Sequence, residues 1–104
     1  MNQKIVERAK KKAKQSICKF RIAALGFNQS GVCVMARTNK PRFNRYGGGI
    51  HAEREILAVA QQKGIVKIII CRIGRSGDIL PIEPCDQCQA IADKLGVKIE
   101  TIRE

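Results

Sequence analysis

The sequence contains one histidine, His51, and two positions later a carboxylate, Glu53; further along stands Pro84-Cys85-Asp86-Gln87-Cys88. Imidazole and thiolates are a normal donor set for zinc, and two cysteines three apart are neighbours on one helical face. A helix N-terminus also lowers the pKa of a thiol and so favours the thiolate that binds metal. His51, Cys85 and Cys88 make three protein ligands, which leaves a fourth tetrahedral position for water, the arrangement of a catalytic zinc. Zinc brings the pKa of such a water to roughly 7. Glu53 then has the role of proton shuttle, taking a proton from the water and handing it to the substrate. The competing arrangement is a structural zinc with a further cysteine, for which Cys71 is the nearest candidate. The simpler reading of Cys71 is a buried small hydrophobe, and Cys18 and Cys33 are expected on strand faces in the core.

His51-Ala52-Glu53 with Pro84-Cys85-Asp86-Gln87-Cys88 resembles the zinc signature of the cytidine/deoxycytidylate deaminase superfamily, as a minimal-length member. The resemblance implies an α/β/α sandwich, Zn2+ held by His51, Cys85 and Cys88, and Glu53 as the catalytic proton shuttle. It implies hydrolysis of an amidine C–N bond, with attack at C4 of cytosine (or C6 of adenine) and loss of ammonia. The family's substrate-pocket asparagine, at the end of its second strand, corresponds to Asn39, and Ala52 joins it in the expected pocket. Glu83 before the Pro-Cys pair is similar to tRNA adenosine deaminases and some nucleotide deaminases. The alternatives are therefore a tRNA-type adenosine deaminase, or a non-catalytic nucleic-acid-binding domain with structural zinc. A deaminase scaffold that has lost activity is a third. The element order ends at a fourth strand, where many relatives add a fifth strand or further helices, so substrate identity does not carry over.

Bringing four groups together from two stretches requires two helix starts at one end of a sheet. Residues 3–16 read as a helix with a thin apolar stripe at Ile5, Ala9 and Ala13. Residues 18–25 alternate, with Cys18, Phe20, Ile22 and Ala24 on one face. Asn28-Gln29-Ser30-Gly31 marks a turn, and 32–38 is the second strand of a hairpin. Residues 39–49, with Pro41 and three consecutive glycines, cannot continue the sheet and form the longest loop. Helical spacing resumes at about His51, with Ala52, Ile56, Val59 and Ala60 on one face and Gly64 as the stop. The nearly continuous apolar run 66–73 predicts a central parallel strand covered on both sides. Pro84 fits the first turn of a third helix, whose stripe of Cys88, Ile91, Ala92 and Leu95 ends at Gly96; 97–102 is the last strand.

The order α-β-β-α-β-α-β predicts one α/β domain over residues 1–104. Its mixed sheet opens with a hairpin, grows through right-handed parallel crossovers and is sandwiched between helices in three layers. His51 and Glu53 on one helix start, and Cys85 and Cys88 on the other, then emerge at the carboxyl end of the sheet, where open α/β folds bind ligands.

At 104 residues, 44% of them hydrophobic, the chain can build one core and is not intrinsically disordered. No apolar run approaches the ~20 residues of a membrane span, and no cleavage pattern follows the basic start. Five cysteines in no disulfide framework, two of them, Cys85 and Cys88, with metal-ligand spacing, fit the cytoplasm. The formal charge is +11, from 20 Lys and Arg against 9 Asp and Glu; residues 1–50 hold 12 basic groups and one acid, Glu7, while residues 51–104 hold eight of each. Such excess favours a phosphate-bearing nucleotide or a single-stranded nucleic acid as partner. The loop before His51 carries Phe43 and Tyr46 among Arg37, Lys40, Arg42 and Arg45, a stacking surface mixed with positive charge. Gly47-Gly48-Gly49 lacks the Lys-Ser of a phosphate loop and suits close approach of backbone to substrate. Lys10-Lys11-Lys12 reads as a solvated helix face, and Arg72 and Arg75 are further candidates for phosphate contact on the rim. An exposed sheet edge beside a small core predicts a homo-oligomer.

Overall fold

The computed structural model describes residues 2–18, 20–41 and 49–103, with backbone only at 41, 49 and 50. Its elements run α1 (Gln3–Ala13), β1 (Arg21–Asn28), β2 (Cys33–Thr38), β3 (Lys40–Pro41), β4 (Gly49–Ile50), α2 (Ala52–Lys63), β5 (Ile65–Ile73), β6 (Ile79–Leu80), α3 (Asp86–Leu95) and β7 (Lys98–Thr101). The expected order is recovered, with three short strands added. β3 and β4 pair with each other, Lys40↔Ile50 and Pro41↔Gly49, apart from the main sheet. Among the described residues no helix is long and apolar enough to cross a membrane.

β5 organises the sheet because both of its faces are apolar. Ile69, Cys71 and Ile73 pack with Leu25 and Phe27 against Ala9 and Ala13 of α1. Ile68 and Ile70 pack with Ala24 against Ile56 and Ala60 of α2 and Cys88 and Ala92 of α3. Strand alternation thus sorts one apolar run into two helix-covered layers. Each fully buried isoleucine contributes about 1.5–3 kcal/mol relative to exposure. The three layers are those expected.

The strand directions differ from the expectation of a parallel strand grown by parallel crossovers. β5 is antiparallel to β1 from Arg21↔Ile73 to Asn28↔Ile65, and parallel only to β7, from Lys67↔Lys98 to Ile70↔Thr101. The short β6 pairs antiparallel with the last residues of β5. The reason is that the chain leaving β2 through α2 does not pair with β2; it crosses to the free edge of β1, which already runs opposite to β2. β2 and β5 therefore point the same way with β1 between them. Because α2 follows β2 and α3 follows β5, both helices still start at the same end of the sheet.

Two boundaries also move. α1 ends at Ala13, short of residue 16, because Ser16 turns away to donate from Oγ to the Asn39 side-chain oxygen, 2.7 Å. β1 begins at Arg21, leaving Cys18 and Phe20 outside the strand, and runs on to Asn28. The helix stops behave as read, since Gly64 and Gly96 both adopt the left-handed conformation, φ 65° and 73°, that a C-cap glycine supplies. In β1, a Cβ on Gly26 would come within 2.9 Å of Ile65 Cδ1 of β5 and 3.0 Å of Ile56 Cγ2 of α2.

Candidate metal centre and cavity

His51 is the N-cap of α2 but makes no side-chain cap hydrogen bond, so its imidazole is turned to other partners. Nδ1 lies 3.6 Å from Cys88 Sγ and 3.5 Å from Glu53 Oε1. Cys85 is the N-cap of α3, and its sulfur accepts from the Cys88 backbone N–H at 3.3 Å. Pro84 accordingly precedes the cap and stands outside the first helical turn, where the sequence had placed it. Glu53 and Cys88 occupy the first turns of their helices and are buried, Glu53 at 4% exposure and Cys88 at 0%. The ligand atoms of His51, Glu53, Cys85 and Cys88 all lie within 4.8 Å of one another. Arg54 adds a tie that the sequence reading missed: it donates to Gln87 Oε1 at 2.8 Å, joining the first turns of α2 and α3.

Two thiolates and a carboxylate gathered this closely would repel one another. Burial, the Cys85 sulfur and the Glu53 charge together push the Cys88 thiol up to about 12 from its ordinary 9.0. A divalent cation is the charge that reverses this, since it stabilises thiolates beside a carboxylate. The donor set therefore fits a metal ion. Cys71 is not available to complete it, because it is buried on the α1 side of the sheet. Cys18 and Cys33 do not join the group either. Cys33 packs partly buried against the α1 layer, whereas Cys18, expected on a strand face, precedes β1.

A cavity of about 290 Å³ opens over this group, its wall formed by Phe20, Ile22, Asn39, Ala52, Ile82 and Glu83. Asn39 and Ala52, expected in a substrate pocket, both line this cavity. The Asn39 side chain is also a latch: Oδ1 accepts from Ser16 Oγ and from the Ile22 N–H at 3.0 Å, and Nδ2 donates to the Phe20 carbonyl at 2.6 Å. One Nδ2 proton is left for a ligand. Phe20, Ile22 and Ile82 were missed as cavity walls. The alternation of Phe20 with Ile22 on one face was the available signal for two of them, and nothing in the sequence marked Ile82. Arg42, Phe43, Arg45 and Tyr46 lie outside the described residues. Arg37 and Lys40 both pair with Glu55, at 3.5 and 3.0 Å.

The layer order and strand arrangement are those of the cytidine deaminase fold. Solved structures agree. The chain superposes on the cytidine deaminase of Burkholderia pseudomallei with a TM-score of 0.71 at 19% identity, covering 99% of this chain and 87% of that one. For the Mycobacterium leprae cytidine deaminase the TM-score is 0.68 at 19% identity, with 97% and 88% covered. For that of Mycobacterium tuberculosis it is 0.65 at 17% identity, with 99% and 85% covered. No protein-family model and no curated protein matches the sequence.

Proposed function

We propose that the protein is a zinc-dependent hydrolytic deaminase that converts cytosine to uracil in a nucleoside, a CMP- or dCMP-like nucleotide, or a polynucleotide. The observation that carries this reading is the convergence of His51, Glu53, Cys85 and Cys88 within 4.8 Å beneath a cavity of nucleobase scale. The likeness in fold to cytidine deaminases supports it. His51, Cys85 and Cys88 would hold the zinc, which when bound supplies the Lewis acidity that makes water nucleophilic near neutral pH.

Glu53 does the proton work. Buried beside His51 and facing the cavity, its carboxylate takes a proton from the attacking water and delivers it to the departing amine. Phe20, Ile22 and Ile82 form an apolar wall that excludes bulk water from the base, and the remaining Asn39 N–H is placed to orient the substrate. Arg42, Phe43, Arg45 and Tyr46, two aromatic rings among positive charges in the sequence, are the residues proposed to contact the substrate beyond the cavity. The reading places the protein in the cytoplasm, where thiols stay reduced and available to metal, and includes self-association. The structural-zinc alternative finds no further cysteine at the group among the described residues.

Zinc-loaded protein offered cytidine, dCMP, cytosine-containing single-stranded DNA and tRNA is expected to release ammonia from at least one; adenosine-to-inosine conversion in the tRNA arm would transfer the reading to adenosine. A zinc-replete sample inert on all four overturns it. Glu53→Gln is expected to retain zinc and lose roughly 10²–10⁴-fold in turnover. Zinc lost along with the carboxylate would make Glu53 a ligand.

A further inference from the structure

On the face of β5 that looks toward α2 and α3, the row Ile68, Ile70 continues into Arg72. An arginine follows two fully buried isoleucines at the end of the sheet where the helix starts stand. Its guanidinium lies over the ring of Phe20, with Cζ 4.5 Å from the centroid. Its Nε is buried with no hydrogen-bond partner, and no carboxylate pairs with it among the described residues. A buried donor without an acceptor is costly and uncommon in native structures.

Neighbouring charges are already engaged. Arg21 donates to the Gly74 carbonyl, and Glu83, the nearby acid, is bound by Arg103. Arg75, in the turn after β5, is exposed and does not line the cavity.

Arg72 borders a cavity of about 370 Å³ whose other walls include Phe20, Ile22, Ile82 and Glu83. The same four residues line the cavity over the metal-ligating group. The two cavities therefore adjoin across these shared walls, with His51 and Glu53 lining the first and Arg72 the second. An occupant that reaches into both would set a flat base against the catalytic group and an anion beside Arg72.

We infer that Arg72, held flat by Phe20, binds a phosphate on the sugar of the substrate, so that the adjoining cavities take a phosphorylated cytosine nucleoside in preference to a free one. This rests on the deaminase reading for the identity of the base. The guanidinium matches phosphate because its planar fork donates two parallel N–H bonds and stays charged at any working pH. A monoester on a free nucleotide and a diester within a strand share this chemistry.

The experiment compares zinc-loaded wild type, R72Q and R72K on cytidine, on CMP and on a single-stranded oligonucleotide with one cytosine. Wild type is expected to favour a phosphate-bearing substrate over cytidine in kcat/KM. R72Q is expected to lower that preference roughly 10–100-fold, chiefly through KM, and R72K by less, because it keeps the charge and loses the fork. Loss confined to CMP identifies the monoester, and loss confined to the oligonucleotide identifies the diester. A preference unchanged in R72Q and R72K overturns the proposal.

If no substrate is turned over, the deaminase reading fails separately, and calorimetric binding of UMP against uridine still decides the anion site. Tighter binding of UMP that R72Q removes upholds it; equal binding of UMP and uridine overturns it.

Discussion

Cys71 and Cys88 are both fully buried, and only the thickness of the sheet divides their layers. Cys71 sits among Leu25, Ile69, Ile73 and the alanines of α1, and on that side no imidazole or acid accompanies it in a metal-ligating group among the described residues. Cys88 sits at the start of α3 with His51, Glu53 and Cys85 around it. Burial is common to both, so burial does not make a site. What differs is the end of the sheet: β2 and β5 run the same way, and the two helices that follow them begin side by side with their first-turn residues converging. The α1 layer has no such pair of helix starts, and its buried side chains form an apolar core cluster.

The largest effect expected from this contrast is on metal content. Cys88→Ser should weaken zinc binding by more than about 100-fold, measured by competition with a chromophoric chelator. Cys71→Ser should leave binding intact and cost about 1–3 kcal/mol of stability from the buried hydroxyl. Comparable metal loss in both variants would end the distinction between the two layers.

A second effect is pH-dependent. In the metal-free chain the folded state holds the Cys88 proton up to about 12, while an unfolded thiol releases it near 9.0. Stability from this group is complete below pH 9 and declines as pH rises from there toward 12. The urea midpoint should fall between about pH 8 and about pH 10.5, and Cys88→Ser should lack that part of the decline. Equal declines in both proteins would place its origin elsewhere.

The smallest effect separates a carboxylate that braces the sheet from the one at the cavity. Glu100 stands 3.1 Å from both Lys67 and Lys98, which hold its carboxyl below the ordinary 4.5. Its contribution is present above that value and disappears as pH falls through the lowered one. Glu100→Gln should cost about 0.5 kcal/mol or less near neutrality, because the pair is partly solvated. Zinc content should not change, which metal analysis of the purified variant checks.

The parts of the fold that were legible in the sequence are those with local causes. Gly64 and Gly96 ended their helices because a left-handed C-cap is a property of one residue. The apolar run of β5 announced a strand covered on both faces. Its neighbours' directions were not legible, since Ile68 to Ile73 reads the same beside a parallel or an antiparallel partner. The boundary errors at α1 and β1 share one source: Ser16, Ile22 and Phe20 all bond to Asn39, a tertiary contact that no window of sequence contains. At the site, His51, Glu53, Cys85 and Cys88 were legible because each lies within a turn of a helix start. The cavity wall was not, because Phe20, Ile22 and Ile82 come from segments that only the folded sheet brings together.

Gly26 carries no chemistry, yet the space above it sets how low α2 can ride on the sheet. A methyl at that position meets the end of Ile65 and the branch of Ile56, one turn along from Glu53. A Gly26→Ala exchange would require these two side chains to give way, and bulkier residues at position 26 would require α2 itself to lift. The height of the helix that carries Glu53 is thereby tied to the size of a residue on the sheet beneath it.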